Sequence, residues 1–222
     1  MSSETLPAIA AFVKTPGVSP IKARLIEGGM DPHLATEFYQ LALRSVEELM
    51  QAVSSRLQPY WAVAEEKGLT HRRWSGFERV FQGEGKAASR LVNVHQLLSV
   101  KHPVQLFIAD DVPQLMVEHV YAAISMLERS DFVLGRTLDG GVYLFGSRKP
   151  IDERLLSDVA LGTTDGARGL LQALAKSGSV SLDLPVLSDV DHPEDMLLLE
   201  EALTALTRPR PSQTAILDWL KS

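Results

Sequence analysis

The sequence predicts an α/β fold in three layers, with a mostly parallel β-sheet covered by helices on both faces. Two observations carry this expectation. Apolar runs of strand length alternate with longer segments of helical periodicity along the chain, and strands joined through helices run parallel and buried on both sides. The clearest run, Val104 to Ala109 (VQLFIA), leads straight into Asp110-Asp111-Val112-Pro113, as an interior strand does where it reaches a polar sheet edge.

In chain order, Ala8 to Val13 (AIAAFV) reads as a buried strand entering the loop Lys14-Thr15-Pro16-Gly17. Asp31-Pro32 opens a long helix, Asp31 as N-cap and Pro32 at the first helical position. Leu34, Phe38, Leu41, Val46 and Leu49 then recur at helical spacing. Strands are expected at Tyr60 to Ala64, Arg79 to Phe81, Asp131 to Leu134, Val142 to Phe145 and Val180 to Leu184. Helices are expected at Lys86 to Val100, Pro113 to Arg129, Thr164 to Lys176 and Pro193 to Leu206. After the break Arg208-Pro209-Arg210-Pro211-Ser212 comes a short C-terminal helix, Thr214 to Leu220. No internal repeat or low-complexity tract divides the chain, so residues 1–222 are expected to form a single domain with its core in about 8–206.

Composition narrows the chemistry. The 222 residues include no cysteine, which excludes disulfides, thiolate metal sites and cysteine nucleophiles together. A net charge of −6 argues against a general nucleic-acid surface, which rewards clustered Lys and Arg. No apolar run approaches the roughly 20 residues of a membrane span, and the first residues carry no basic leader. The expected location is cytoplasmic.

In parallel sheets ligands gather beyond the carboxyl ends of the strands, which directs attention to three loops. Lys14, Lys22 and Arg24 surround the first, where free backbone N–H groups and fixed cations suit phosphate. That loop lacks the pattern of a Walker loop or of a dinucleotide fingerprint, and an ordinary solvated loop would carry the same lysines. At the second, Asp110-Asp111 is costly at a strand end unless solvated or bound to a hard cation such as Mg²⁺; capping of a helix at Pro113 is the alternative. At the third, Asp189-Val190-Asp191-His192-Pro193-Glu194-Asp195 places Asp189 and Asp191 on one side if extended. There Glu194 and Asp195 fit a helix's first turn. The turn Asp139-Gly140-Gly141 would let backbone approach a ligand, and equally signals a plain hairpin. Tyr60, Trp61 and Trp74 show no spacing of a stacking platform and are read as core or edge.

Taken in order, these segments resemble a bacterial glycosyltransferase family related to the molybdenum-cofactor and phospholactate guanylyltransferases. The family opens with F-A-K-x-P-x-P-G-x-V-K-T-R-L, matched here at Phe12, Lys14, Pro16, Lys22, Arg24 and Leu25. Its G-T-D-x-P-x-L corresponds to Ala109 through Leu115, its D-G-G-Y-x-L-x-G to Asp139 through Gly146, and its D-V-D-T-P-E-D-L to Asp189 through Met196. The chain departs from it at Val18-Ser19 in the first loop, at Lys86 and Ala88 within Gln82 to Arg90, and at Leu161 before Gly162-Thr163. The resemblance implies a Rossmann-like, glycosyltransferase-A-type fold that binds a nucleotide diphosphate through Mg²⁺ or Mn²⁺. It makes Asp111, not Asp110, the metal-binding aspartate at the second loop, with Asp191 as the other ligand. It assigns Lys14, Lys22, Arg24, Gln82 and Arg90 to the nucleotide. Asp139 joins Asp111 as a catalytic residue, and Gly140, Gly141 and Thr163 line the acceptor side. The expected partners are a nucleotide-sugar or nucleoside triphosphate and a small-molecule acceptor. Glycosyl transfer is the favoured reaction; guanylyltransferase-like nucleotidyl transfer and nucleotide binding without turnover are the alternatives.

Overall fold

The computed structural model describes residues 5–222. One sheet holds seven strands, β1 (Ala8–Val13), β2 (Gln58–Val63), β3 (Glu78–Phe81), β4 (Gln105–Ile108), β5 (Phe132–Arg136), β6 (Val142–Ser147) and β7 (Val180–Ser181), in the order β3-β2-β1-β4-β6-β5-β7. All run parallel except β6, which is antiparallel to both β4 and β5. The reversal brings the start of β6 to the edge where β1 and β4 end.

Eight α-helices accompany them among the described residues: α1 (Ala23–Glu27), α2 (Pro32–Val53), α3 (Ala87–Ser99), α4 (Val117–Leu127), α5 (Glu153–Leu156), α6 (Gly166–Leu174), α7 (Asp195–Thr204) and α8 (Pro211–Leu220). Helices α2 and α4 cover one sheet face, where Trp61 is buried with Leu43, Val46, Met50 and Val120. The opposite face is covered by α3, α5 and α6, which pack Leu91, Leu156 and Leu170 against Phe107, Phe132 and Phe145. Each such side chain contributes about 1.5–3 kcal/mol on leaving water. Asp31 caps α2 as expected, accepting from the His33 N–H at 2.7 Å, and Pro32 takes the first position.

Helix α2 is covered on its outer side as well. Phe38, Ala42, Leu199, Leu203 and Ile216 form a third apolar cluster with α7 and α8. Phe38 and Trp219 sit 5.8 Å apart, and the Glu48 carboxylate accepts from the Ser212 N–H and hydroxyl at 3.0 and 2.6 Å. Leu34 lies outside this packing and is exposed.

Several boundaries differ from expectation for identifiable reasons. Helix α4 starts at Val117, not Pro113, because the Pro113 carbonyl accepts from the Ser45 hydroxyl and the Gln213 amide instead of a helical N–H. Helix α7 starts at Asp195, not Pro193, because the Asp195 carboxylate accepts from the N–H groups of Asp191 and His192 and turns the chain before the helix begins. Helix α8 starts three residues early, at Pro211, with the Gln213 side chain accepting from the Arg210 N–H. Tyr60, Trp61 and Trp74 are all buried. Among the described residues no helix is long and apolar enough to cross a membrane.

Candidate active site at the carboxyl edge of the sheet

The loop after β1 is braced from beneath. The Tyr39 hydroxyl, projecting from α2, accepts from the Lys14 N–H at 3.0 Å and lies 2.8 Å from the Lys14 carbonyl and 2.9 Å from Asp110 Oδ2. Buried Thr15 donates its N–H to Glu65 and accepts from the Trp74 indole. Gly17 turns the loop with φ +78°, and among the described residues Lys22 alone of the non-glycines has positive φ, at +46°. A side chain in that region costs roughly 1–2 kcal/mol. The Lys22 ammonium donates to the Val190 carbonyl at 3.0 Å, so the strained residue ties the first loop to the third.

Asp110 and Asp111 follow β4, and the Pro113 turn leaves neither carboxylate capping a helix. The third loop is strapped to both neighbours: Leu187 bonds to Arg136 at the hairpin base, and the Val190 N–H donates to the Asp111 carbonyl at 3.0 Å. Asp189 and Asp191 thereby reach the end of β4. Burial pushes the Asp111 carboxyl up to about 7, opposed by the nearby Lys22 charge and reinforced by Asp110, Asp191 and Asp189. Asp189 is raised to about 6 by burial and by Asp139. Asp110 is raised by burial, against the pull of Lys22, the Tyr39 hydroxyl and Lys14.

Asp139 lies in the β5–β6 hairpin. Its Oδ1 accepts from the Gly141 N–H at 2.8 Å and from the Thr137 hydroxyl, an Asx-type turn that shapes the hairpin tip. Oxygens of Asp139, Asp189 and Asp191 lie within 4.8 Å of one another. Gly140, at φ +94°, has the Thr164 carbonyl where a Cβ would be, at 2.0 Å, and its own carbonyl accepts from the Ala167 N–H. The close approach at Gly140 is therefore made by the chain itself.

Two adjoining cavities open on this edge. One, about 460 Å³, is lined by Lys14, Lys22, Arg24, Gln82, Arg90 and Asp110. The other, about 200 Å³, contains Asp139, Gly141, Thr163 and Asp189; Gly140 faces a separate depression beside Thr164. Asp111, Asp191, Arg24 and Ala87 border both. Arg24 sits between them, paired with Asp191 and donating to the Gly162 carbonyl at 2.9 Å. The Gln82 amide nitrogen holds the Ala62 carbonyl at 2.8 Å, binding the tips of β2 and β3. Arg90 donates to the Gly85 carbonyl, and Thr163 to the Ala160 carbonyl. Helix α3 begins beside the larger cavity with no side-chain cap at Lys86.

All the residues expected from sequence except Gly140 thus border one of these two cavities. Sequence reasoning missed two participants. The spacing pairs Asp189 with Asp191 on one side of the loop but gives Asp189 no ligand role. Tyr39 carried no signal, since its place on the apolar stripe of α2 is that of a core residue.

No curated protein matches the chain. A Desulfovibrio desulfuricans G20 protein provisionally named a nucleotide-diphospho-sugar transferase superposes with a TM-score of 0.81, covering 96% of each chain at 22% identity. CMP:2-keto-3-deoxy-manno-octonic acid synthetase complexed with CTP superposes at 0.52, over 88% of this chain and 99% of that one, at 12% identity. The 4-diphosphocytidyl-2C-methyl-D-erythritol synthase of Anaerococcus prevotii gives 0.53, over 97% and 99%, at 11% identity. At such identities the likeness is one of fold, and it bears out the α/β architecture expected for nucleotide-diphospho-sugar transferases. The sequence adds a closer relation, because a family model matches residues 38–163, more than half of the chain, including the β4 edge and the Asp139 hairpin; the protein belongs to the family described as uncharacterized proteins conserved in bacteria (DUF2064).

Proposed function

We propose that this protein is a metal-dependent transferase that takes a nucleotide-activated donor and transfers its glycosyl group to a small acceptor. The observation that carries the reading is the juxtaposition, on one sheet edge, of a basic cavity and a cluster of carboxylates. Lys14, Lys22 and Arg90 stand around the larger cavity beside the uncapped start of α3, an arrangement suited to phosphate oxygens. The carboxylates fit a hard divalent cation. Asp111 accepts no side-chain hydrogen bond among the described residues, and Asp111 and Asp189 are both held well above the usual carboxylate range by burial and by their acidic neighbours. Mg²⁺ or Mn²⁺ matches such an all-oxygen donor set. Asp191 would hold the ion together with Asp189, the two lying within ligand reach of each other and of Asp139, and Asp111, which stands outside that group at the edge of the same cavity, would complete the set. When bound, it neutralises charge on the diphosphate leaving group.

The chain's own groups supply the rest. Lys14 and Lys22 bind phosphate, and Arg24, paired with Asp191 between the two cavities, would be available to the donor were Asp191 engaged by a cation. Asp139 keeps Oδ1 in the hairpin and presents Oδ2 to the acceptor hydroxyl. Nucleotidyl transfer would use the same donor arrangement. The basic cavity and the carboxylates being contiguous, both reactions require metal-dependent nucleotide binding.

A thermal-shift screen of nucleotide-sugars and nucleoside triphosphates, with and without Mn²⁺, tests this directly. A donor at 100 times its dissociation constant adds about 2.7 kcal/mol, and Asp111→Ala should abolish the metal-dependent part. Absence of any nucleotide shift in the unmodified protein would refute the reading. Donor hydrolysis with Mn²⁺ then separates turnover from binding alone.

A further inference from the structure

We propose that the smaller cavity is the acceptor pocket and that it takes an alcohol or phenol with a compact apolar body, not a second sugar. This rests on the donor reading above and adds the chemical class of the other substrate. The pocket is walled by Phe12, Phe107 and Phe145 from the sheet, Leu91 from α3, Leu170 from α6 and Leu161 from the loop before α6. Phe107 meets Phe12 edge-on at 6.1 Å and stacks on Phe145 at 5.8 Å, so the walls are rigid aromatic surface. The carboxylates come from the loops at its mouth and Arg24 from α1, beyond the strand ends.

That division fixes an orientation. A ligand with one hydroxyl and an apolar body can place the hydroxyl among the carboxylates and the body among the rings. A sugar presents hydroxyls around its whole ring, and those facing Phe107, Leu91 and Leu170 would lose water without gaining a partner. The volume, about 200 Å³, exceeds the roughly 150 Å³ of an apolar cavity known to hold benzene. One aromatic ring or one branched five-carbon unit fits.

In the transfer, the acceptor oxygen forms a bond to the donor's anomeric carbon. The bond from that carbon to the phosphate oxygen breaks, and the nucleoside diphosphate leaves with the electron pair. The hydroxyl proton passes to Asp139 Oδ2. Leu161, from the loop before α6, forms part of the pocket's apolar wall.

The test is a titration of the full chain, methyl-labelled at Leu, Val and Ile, with benzyl alcohol and with glucose in Mg²⁺, followed by NMR. Benzyl alcohol should shift the methyls of Leu91, Leu161 and Leu170 and bind at least tenfold more tightly than glucose. Leu161→Asp and Leu161→Trp, one introducing charge and the other filling the space, should each weaken benzyl alcohol at least fivefold. Glucose binding as tightly as benzyl alcohol, shifts confined to other methyls, or affinity unchanged in both variants would overturn the assignment. The nucleotide thermal shift is read on the same samples. If it is absent while benzyl alcohol binds as expected, the apolar ligand class stands and the donor reading fails; if it is present while glucose prevails, only the pocket assignment fails.

Discussion

Replacing Tyr39 by phenylalanine removes one oxygen that serves three groups at once. The hydroxyl accepts from the Lys14 N–H, and it shares its proton between the Lys14 carbonyl and the Asp110 carboxylate. Without it the Lys14 N–H loses its partner in a part-buried setting, and a buried carboxylate loses its donor. An unpaired buried group costs about 1–3 kcal/mol, and phenylalanine fills the same space otherwise, so the expected loss is about 2 kcal/mol. Urea denaturation at pH 8 should show it as a midpoint lowered by about 0.7 M, for an m-value of about 3 kcal/mol/M. The loss should also grow with pH. The hydroxyl lowers the Asp110 pKa, so the variant's folded-state value rises further above that of the unfolded chain. A carboxyl with a raised folded value loses stability as pH climbs through it, and the variant loses more. A loss under about 0.5 kcal/mol, the scale of an ordinary surface change, would refute the reasoning. So would a loss that is the same at pH 5 and pH 8.

Four further outcomes follow from other parts of the structure. Gly140→Ala forces a Cβ into the Thr164 carbonyl at a positive φ and should cost about 2–4 kcal/mol, measurable by the same denaturation. Lys22→Gly should be about 1 kcal/mol more stable than Lys22→Ala, since glycine alone relieves the φ of +46°, while both lose nucleotide affinity in the thermal-shift assay. Asp111→Asn should stabilise the metal-free protein at pH 8 relative to pH 5: the unmodified carboxyl, raised to about 7, withdraws stability as pH rises from the unfolded value through that range. Conversely, the gain in melting temperature from Mn²⁺ should be larger at pH 8 than at pH 5 in the unmodified protein and small in the variant.

The frame of this molecule is legible in its sequence because periodicity is a local property. Ala8 to Val13 and Asp31-Pro32 announce a strand and a capped helix without reference to anything distant. Boundaries fail where distant partners intervene: Pro113 looks like a helix start until Ser45 and Gln213 claim its carbonyl. The same holds for the site. Asp111 is visible as a carboxylate just beyond a strand, Asp139 in a hairpin turn and Asp191 in the loop before a helix. That Asp189 closes with Asp139 depends on the strap from Leu187 to Val190 across the hairpin base, which no spacing encodes. Tyr39 is hidden for the opposite reason, since a tyrosine on an apolar stripe looks the same whether or not its hydroxyl meets a loop. Lys22 shows a further limit, because left-handed backbone at a lysine runs against residue preference and is imposed by closure of the loop.

The double covering of α2 sets a schedule for the growing chain. Its inner face can pack as soon as the neighbouring strands have emerged, but Phe38 and Ala42 must wait for Ile216 and Trp219. Between Val53 and Pro211 lie more than 150 residues, which a ribosome adds in roughly 8–30 s. Through that interval a newly made apolar stripe stands open to water, to chaperones and to its own copies on neighbouring ribosomes.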